Sequence, residues 1–143
     1  MIKPEDLRIG DLVMVSHGCM FPKGTMCAVT EIHPDKEFVY KKGVVSLRAI
    51  NDNDDRSCGT WLCNVDGIPI TPEILKNNGF EIKDDSVVYA KRKVGLKPLP
   101  DNKGYESGIG NRLFYLKIGD IQYVHELQHI LWVLGYDAEL KIK

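Results

Sequence analysis

The chain has 143 residues, and its 19 lysines and arginines nearly balance its 20 aspartates and glutamates, leaving a formal net charge of −1. Hydrophobic residues make up 43% of the chain and aromatic residues 8%, which is typical of a globular protein and excludes the disordered, collagen-like and disulfide-dense classes. The length predicts one compact unit with a substantial core. The balanced charge excludes a chain-wide basic field of the kind that non-specific nucleic-acid binding requires.

The start of the chain, Met1–Asp6, has no apolar run like that of a secretory signal, and no stretch reaches the roughly 18 apolar residues of a membrane-spanning helix. We therefore expect a cytoplasmic protein with no membrane partner. In that compartment the four cysteines are reduced thiols. Only Cys58 and Cys63 have the spacing of a zinc knuckle, so the cysteines are interpreted as small buried hydrophobes rather than as a metal site.

Residues 1–70 have the pattern of a small β-barrel, because short runs of strand-forming residues alternate with glycine and proline. The opening sequence Gly-Asp-Leu-Val-x-Val at 10–15, followed by a glycine-containing loop and by Val29 and Ile32, resembles the first hairpin of an SH3-like barrel. Lys41–Gly43 fits a hairpin turn. The predicted strands cover 7–15, 25–32, 37–40, 44–50 and 60–65.

Residues 71–143 are predicted to add further strands and two helices, packed with the first part as one unit. The first helix covers 72–78, with Thr71 as its N-cap, Pro72 in its first turn and Gly79 after its end. The fold class is therefore α+β, an SH3-like barrel followed by an α+β part. The remaining predictions are strands over 87–90, 113–118 and 138–142, and a long loop over 95–111.

The second helix is predicted over 121–134, because apolar residues recur there at steps of three and four. Asp120 is its expected N-cap, and Gly135 is expected to end it. Within this helix lies the sequence His-Glu-Leu-Gln-His at 125–129, an HExxH pattern.

The HExxH pattern allows a zinc-dependent hydrolase, in which His125 and His129 bind one zinc ion from a single helix face and Glu126 is the general base. Such a site needs a third protein ligand, and Gly135 stands where one type of zinc protease has its third histidine. The favoured interpretation has no cofactor. It places His125, Gln128, His129 and Trp132 as a stripe at the edge of the apolar face.

Three blocks of sequence carry a family resemblance: Glu5–Val13, Gly67–Glu81 and Tyr123–Gln128. They resemble a family of small uncharacterised proteins found in gut anaerobe genomes and in their phages and mobile elements. The family has Gln and Asn where this chain has Glu126 and His129, so the resemblance implies that the HExxH pattern is particular to this member. It leaves His125 and Gln128 either as hydrogen-bonding members of a helix-to-sheet junction or as part of a binding surface.

The basic residues concentrate around the predicted loop, at Lys91, Arg92, Lys93 and Arg112. Such a cluster is either a solvated face or the lining of a groove for an anionic ligand. We therefore predict a non-enzymatic binding or adaptor module that contacts a protein. Its predicted partner surface consists of His125, Gln128, Trp132 and the four basic residues, and the alternatives are a zinc hydrolase and a nucleic-acid-binding protein.

Overall fold

The structure is a computed structural model that describes residues 2–50, 56–82, 88–110 and 115–142. The chain divides into two compact units, Met1–Ile68 and Pro69–Lys143, which we call the N-terminal and the C-terminal unit. Each unit contains an antiparallel sheet, and the C-terminal unit adds two α-helices, so the α+β fold class is confirmed. Neither helix has the length and hydropathy of a membrane-spanning segment within the described ranges.

The N-terminal unit contains one five-stranded sheet in the order β4-β3-β2-β1-β5. A single turn of 3-10 helix, Leu62–Asn64, joins β4 to β5. Within the described residues the sheet does not close on itself, so the predicted barrel closure is not confirmed. The strands are β1 Leu12–Val15, β2 Met26–Phe38, β3 Lys41–Ala49, β4 Ser57–Trp61 and β5 Val65–Gly67.

The core of the N-terminal unit follows from the period of two along these strands. Alternate side chains of β1, β2 and β3 are almost fully buried, namely Val13, Val15, Cys27, Val29, Val45 and Leu47. Strand β2 joins two predicted strands into one, with a register shift between His33 and Glu37. Beyond that shift β2 pairs only with β3, and its outer end is exposed on both faces.

The C-terminal unit contains a five-stranded meander in the order β10-β9-β8-β7-β6 and two helices. The short helix α1 comes before the sheet, and the longer helix α2 follows it along the chain. The elements are α1 Pro72–Asn77, β6 Glu81–Ile82, β7 Tyr89–Lys91, β8 Val94–Pro98, β9 Tyr105–Gly110, β10 Tyr115–Ile121 and α2 Val124–Val133.

Helix α1 has the predicted ends. The Thr71 hydroxyl accepts a hydrogen bond from the Ile74 N–H at 3.2 Å, which satisfies one of the unpaired donors of the first turn. Gly79 has φ +85°, and the Phe80 N–H then reaches back to the Leu75 carbonyl at 2.9 Å. This is the hydrogen-bond pattern of a helix that ends through a left-handed glycine, and it buries the Phe80 ring.

The predicted loop over 95–111 is wrong, because most of it forms β8 and β9. Glycines and prolines in this stretch hid the strand pattern, yet both strands have partners on each side in the sheet. Leu96 and Ser107 are fully buried, and the Ser107 hydroxyl donates to the Gly119 carbonyl at 2.6 Å across a register shift in β10. The predicted strands 87–90 and 113–118 contribute to β7 and β10, while residues 87, 113 and 114 lie outside the described part.

Two further predictions in the C-terminal unit are corrected. Helix α2 begins at Val124 rather than at residue 121, because Ile121 still pairs with Tyr105 in the sheet. The segment 138–142 alternates in burial as predicted, with Leu140 and Ile142 buried, but it is not a strand. Its backbone bonds instead to a side chain: the Lys141 N–H donates to Asn78 Oδ1 at 2.7 Å, and Asn78 Nδ2 donates to the Lys141 carbonyl at 2.6 Å.

Candidate functional site

Glu126 caps the helix that carries the HExxH pattern. One carboxylate oxygen, Oε1, accepts hydrogen bonds from the Tyr123 N–H at 3.0 Å and the Gln122 N–H at 3.1 Å. These two backbone groups precede the first turn of α2, where a helix leaves its donors unpaired and favours negative charge. In the zinc-hydrolase alternative Glu126 is the general base. In the structure its carboxylate instead binds the backbone N–H groups of Gln122 and Tyr123.

The two histidines of the pattern have different environments. His125 is buried, and its ring is stacked on Tyr123 with 5.8 Å between the centroids and 8° between the planes. His129 is half-buried and meets His125 edge to face, with 6.0 Å between the centroids. No group of three or more His, Cys, Asp or Glu side chains suited to a metal ion occurs in the ranges that the structure describes. The zinc site therefore stays a prediction that still requires a third ligand.

Gln128 belongs to the interior of the C-terminal unit. Its side chain is 4% exposed, as is that of His125, and its Nε2 donates to the Ala138 carbonyl at 3.1 Å. Of the two alternatives left open by the sequence, the structure therefore supports a hydrogen-bonded junction, which here connects α2 to the segment after it. Because their side chains are buried, His125 and Gln128 do not contribute to the exposed partner surface that the sequence predicted.

Trp132, another residue of the predicted partner surface, lies at the surface and is 59% exposed. Next to it Val133 is 69% exposed, and Ile118 of β10 is 45% exposed. Between α2 and the strands lies an open cavity of about 280 Å³, which we call the α2 groove. It is lined by His129 and by aliphatic side chains, Ile109, Ile118, Ile130, Val133 and Leu134.

Sequence reasoning missed Ile118 and Val133. A signal for the helix side of the groove is present, because residues 130–134 read Ile-Leu-Trp-Val-Leu and so place apolar side chains all around the helix end. A helix with one buried face needs only one apolar stripe. The surplus on the second face indicates a surface whose composition folding alone does not explain.

Among the described residues of the predicted basic cluster, two contact aromatic rings. The Lys91 ammonium lies 5.9 Å from the centroid of the Phe80 ring, and the Arg92 guanidinium lies 5.1 Å from that of Tyr136, both within cation–π range. Lys93 is exposed in the turn between β7 and β8, and Arg112 lies outside the described residues. Lys91 and Arg92 thus contact aromatic rings of their own unit.

A second cation of the sheet is also paired. Lys117 lies 3.3 Å from a carboxylate oxygen of Glu106 and 3.5 Å from one of Asp120. The hydrogen bond to Glu106 and the charge of Asp120 raise the pKa of Lys117. Lys117 of the edge strand β10 is therefore paired with two carboxylates, and the group of three side chains has a net negative charge.

The C-terminal unit has a second cavity, of about 360 Å³, near the loop between β8 and β9. Tyr89 and Tyr105 meet edge to face there, with 6.2 Å between their centroids. Burial and the neighbouring Tyr89 raise the pKa of Tyr105. The walls of this cavity come from residues within Pro69–Pro72 and Pro98–Tyr105, together with Tyr89 and Gln122.

The N-terminal unit exposes apolar side chains at the tip of the β2–β3 hairpin. Phe38, Val39 and Tyr40 are 66%, 69% and 99% exposed. Val39 has φ +55°, a conformation that β-branched residues rarely adopt and that favours Gly or Asn in a tight hairpin turn. Neither burial nor turn geometry explains these three residues, so the tip is a second candidate contact surface.

Comparison of the chain with protein-family models, with curated proteins and with solved structures finds no match. The resemblance to the proteins of gut anaerobes and their phages stays a prediction. We therefore infer the function from the geometry of the two exposed apolar surfaces.

Proposed function

We propose that the chain is a non-enzymatic binding module whose C-terminal unit takes an apolar segment of a protein partner into the α2 groove. The observation that carries this proposal is the exposure of Ile118 and Val133, which both line a cavity with aliphatic walls. Contiguous exposed apolar surface of this kind marks interaction sites in monomeric proteins. Trp132 of the same helix is also exposed, and tryptophan is enriched among the residues that dominate binding energy.

A protein partner suits this groove better than a nucleic acid does. Nucleic-acid binding needs cations that neutralise phosphates, whereas three cations of this unit, Lys91, Arg92 and Lys117, contact aromatic rings or carboxylates of the same unit. Aliphatic walls instead favour burial of a large apolar side chain, at about 25 cal/mol for each Å² removed from water. Nucleic-acid binding and zinc hydrolysis remain the alternative functions.

The proposal keeps two groups of expectations from the sequence, one on the fold and one on location and origin. An SH3-like arrangement of the N-terminal unit is supported by the order of its five strands and by the 3-10 turn between β4 and β5. A cytoplasmic location and an origin in a phage or mobile element rest on the sequence patterns and the family resemblance. Neither expectation is needed for the groove to bind a partner.

The proposal is tested by placing a photo-crosslinking amino acid at Val133 of the full chain and irradiating cells that produce it. We expect a crosslinked protein species at Val133 and none at Glu139, an exposed polar position of the same unit. Adding Ile118→Asp should abolish the species without changing the thermal midpoint, because Ile118 is half exposed.

A third position, Tyr40 on the hairpin tip, separates the two apolar surfaces. Crosslinks at Tyr40 and not at Val133 would transfer the binding role to the N-terminal unit. Crosslinks at Val133 to nucleic acid or lipid, or the same products at Val133 and Glu139, would contradict a protein-binding groove.

A further inference from the structure

Two cysteine sulfurs of the N-terminal unit lie close enough to be joined by a disulfide bond. Cys19 lies in the loop between β1 and β2, and Cys58 lies in the edge strand β4, with 2.8 Å between their Sγ atoms. Both are free thiols in the structure. A disulfide has an S–S length of about 2.05 Å, so bonding requires the two sulfurs to approach by less than about 1 Å.

The loop that carries Cys19 is held in place independently of the two sulfurs. The Gly18 carbonyl accepts hydrogen bonds from the Thr60 hydroxyl at 3.1 Å and from Asn64 Nδ2 at 3.5 Å. The Asn64 carbonyl in turn accepts the Ser16 N–H at 2.9 Å. Thr60 and Asn64 are both buried. These bonds position Cys19 against β4, so little conformational freedom remains to be lost when the sulfurs join.

We propose that Cys19 and Cys58 form a reversible disulfide when the protein meets a small disulfide oxidant, and that this bond locks the β1–β2 loop onto β4. Glutathione disulfide serves as the oxidant. Cys19, the more exposed of the two, loses its proton and attacks one sulfur of glutathione disulfide, which forms a mixed disulfide and releases one glutathione thiol.

In the second step the Cys58 sulfur attacks the Cys19 sulfur of the mixed disulfide. The Cys19–Cys58 bond forms, the bond to glutathione breaks, and the second glutathione leaves as a thiol with the proton from Cys58. In total two cysteine thiols are oxidised and one glutathione disulfide is reduced. No further oxidant is required, and excess dithiol reverses both steps.

The environment of the sulfurs determines the speed of this reaction. Burial, and then the hydrogen bond with Cys58, raise the pKa of Cys19, and burial raises the pKa of Cys27 to about 11. Since the thiolate is the attacking species, the exchange is slow near neutral pH and accelerates about tenfold for each pH unit. Cys27 is fully buried and protonated, so it does not compete.

The experiment uses the full chain under native conditions, incubated with glutathione disulfide and then mapped by mass spectrometry of non-reduced peptides. We expect a Cys19–Cys58 crosslinked peptide and an intact mass lower by two hydrogens. The crosslink joins residues 39 apart and restricts the unfolded chain. The thermal midpoint of the N-terminal unit should therefore rise by about 10 °C or more.

Single variants separate the two chemical steps. Cys58→Ser should stop the reaction at the mixed disulfide, giving a stable adduct of one glutathione on Cys19, while Cys19→Ser should give neither adduct nor crosslink. Cys63→Ser is the matched control. Cys63 lies in the same unit and is partly exposed, and its sulfur hydrogen-bonds to Asn64. The Cys63→Ser variant should form the Cys19–Cys58 crosslink at the rate of the unaltered chain.

The unaltered chain alone can overturn the proposal, so it does not depend on how the variants fold. A glutathione adduct that persists on Cys19 would contradict it, as would a crosslink to Cys27 or Cys63. So would a Cys19–Cys58 crosslink that forms only in urea, or one that leaves the thermal midpoint unchanged.

Discussion

Each unit has a loop glycine with positive φ that lies close to another part of the same unit. The two glycines differ in what they approach. Gly18 of the N-terminal unit has φ +65°, and a Cβ built there would collide with the side-chain amide of Asn64. Gly104 of the C-terminal unit has φ +101°, and its Cβ would collide with the backbone carbonyl of Ile121 in β10. The Asn64 side chain can rotate away from a new methyl group, although it then loses hydrogen bonds. Strand β10 is paired in a sheet and cannot move in this way. The loop at Gly18 therefore accommodates an added side chain more easily than the loop at Gly104 does.

The largest effect is expected for Gly104→Ala. The new methyl group meets backbone at Ile121 and at Gln122, whose Cα lies 3.1 Å away, so the β8–β9 loop must separate from β10. We expect a loss of at least about 3 kcal/mol of unfolding free energy, since backbone strain and disrupted packing add. Urea denaturation with residue-resolved amide exchange measures it. The control is Gly135→Ala, which has φ +75° and open space and should lose about 1 kcal/mol.

Gly18→Ala tests the corresponding loop of the N-terminal unit. It should lower the unfolding free energy by about 2 kcal/mol and increase amide exchange in the β1–β2 loop. Part of this loss is left-handed strain, and the rest comes from displacing Asn64 from Thr60 and Gly18. Gly24→Ala is the control, because Gly24 has φ +88° in the same loop and no atom within 4 Å of its Cβ position. Equal losses at Gly18 and Gly24 would show that Asn64 moves without cost, and a loss at Gly18 above that at Gly104 would reverse the comparison.

The two units also differ in their response to alkaline pH, because all four cysteines lie in the N-terminal unit. Burial, and then the nearby Cys19 and Cys58, raise the pKa of Cys27 from 9.0 to about 11. The folded unit thus holds this proton more tightly than the unfolded chain does. The resulting stability is complete below pH 9 and is lost as the pH rises through 11.

We expect a loss of about 1–2 kcal/mol over that interval, seen as faster amide exchange in β2 under reducing conditions after correction for the intrinsic pH dependence of exchange. In Cys27→Ala the unit should be less stable at every pH, but its stability should fall less steeply with pH. An equal slope in the two proteins would assign the alkaline loss to other groups.

The smallest effect is expected at the start of α2. Glu126→Ala removes the carboxylate that accepts the Gln122 and Tyr123 N–H groups and should lose about 1 kcal/mol, confined to the C-terminal unit. Glu126→Gln keeps an acceptor oxygen and should lose about half as much. Zinc analysis of protein purified without a histidine tag belongs to the same test. Stoichiometric zinc that disappears in His129→Ala would favour the hydrolase alternative and contradict a purely structural role for Glu126.

The sequence predicts best where local chemistry decides the structure. The ends of α1 follow from Thr71, Pro72 and Gly79, whose preferences act within one helical turn. Strands β8 and β9 were missed because Gly95 and Gly108 carry no strand preference of their own and are held in register by pairing with each other. Pairing partners distant in the chain override weak local preference.

The same distinction applies to the candidate site. The exposure of Trp132 is consistent with its predicted position at the edge of the apolar face of α2. The burial of His125 and Gln128, and the groove against Ile118, depend on segments that pack on the helix from elsewhere in the unit. A helical wheel contains no information about those neighbours, so the sequence identified the helix but not which of its polar residues reach solvent.

The pairing of Asn78 with Lys141 has a consequence for the order of folding. One amide side chain completes the end of α1 through the Ile74 carbonyl and also binds both backbone groups of a residue 63 positions later. Contacts across such a separation form late, since the intervening chain must first lose its freedom. We therefore expect helix α1 to acquire its final stability only when the segment around Lys141 docks, so that this short helix reports on the completion of folding rather than on its beginning.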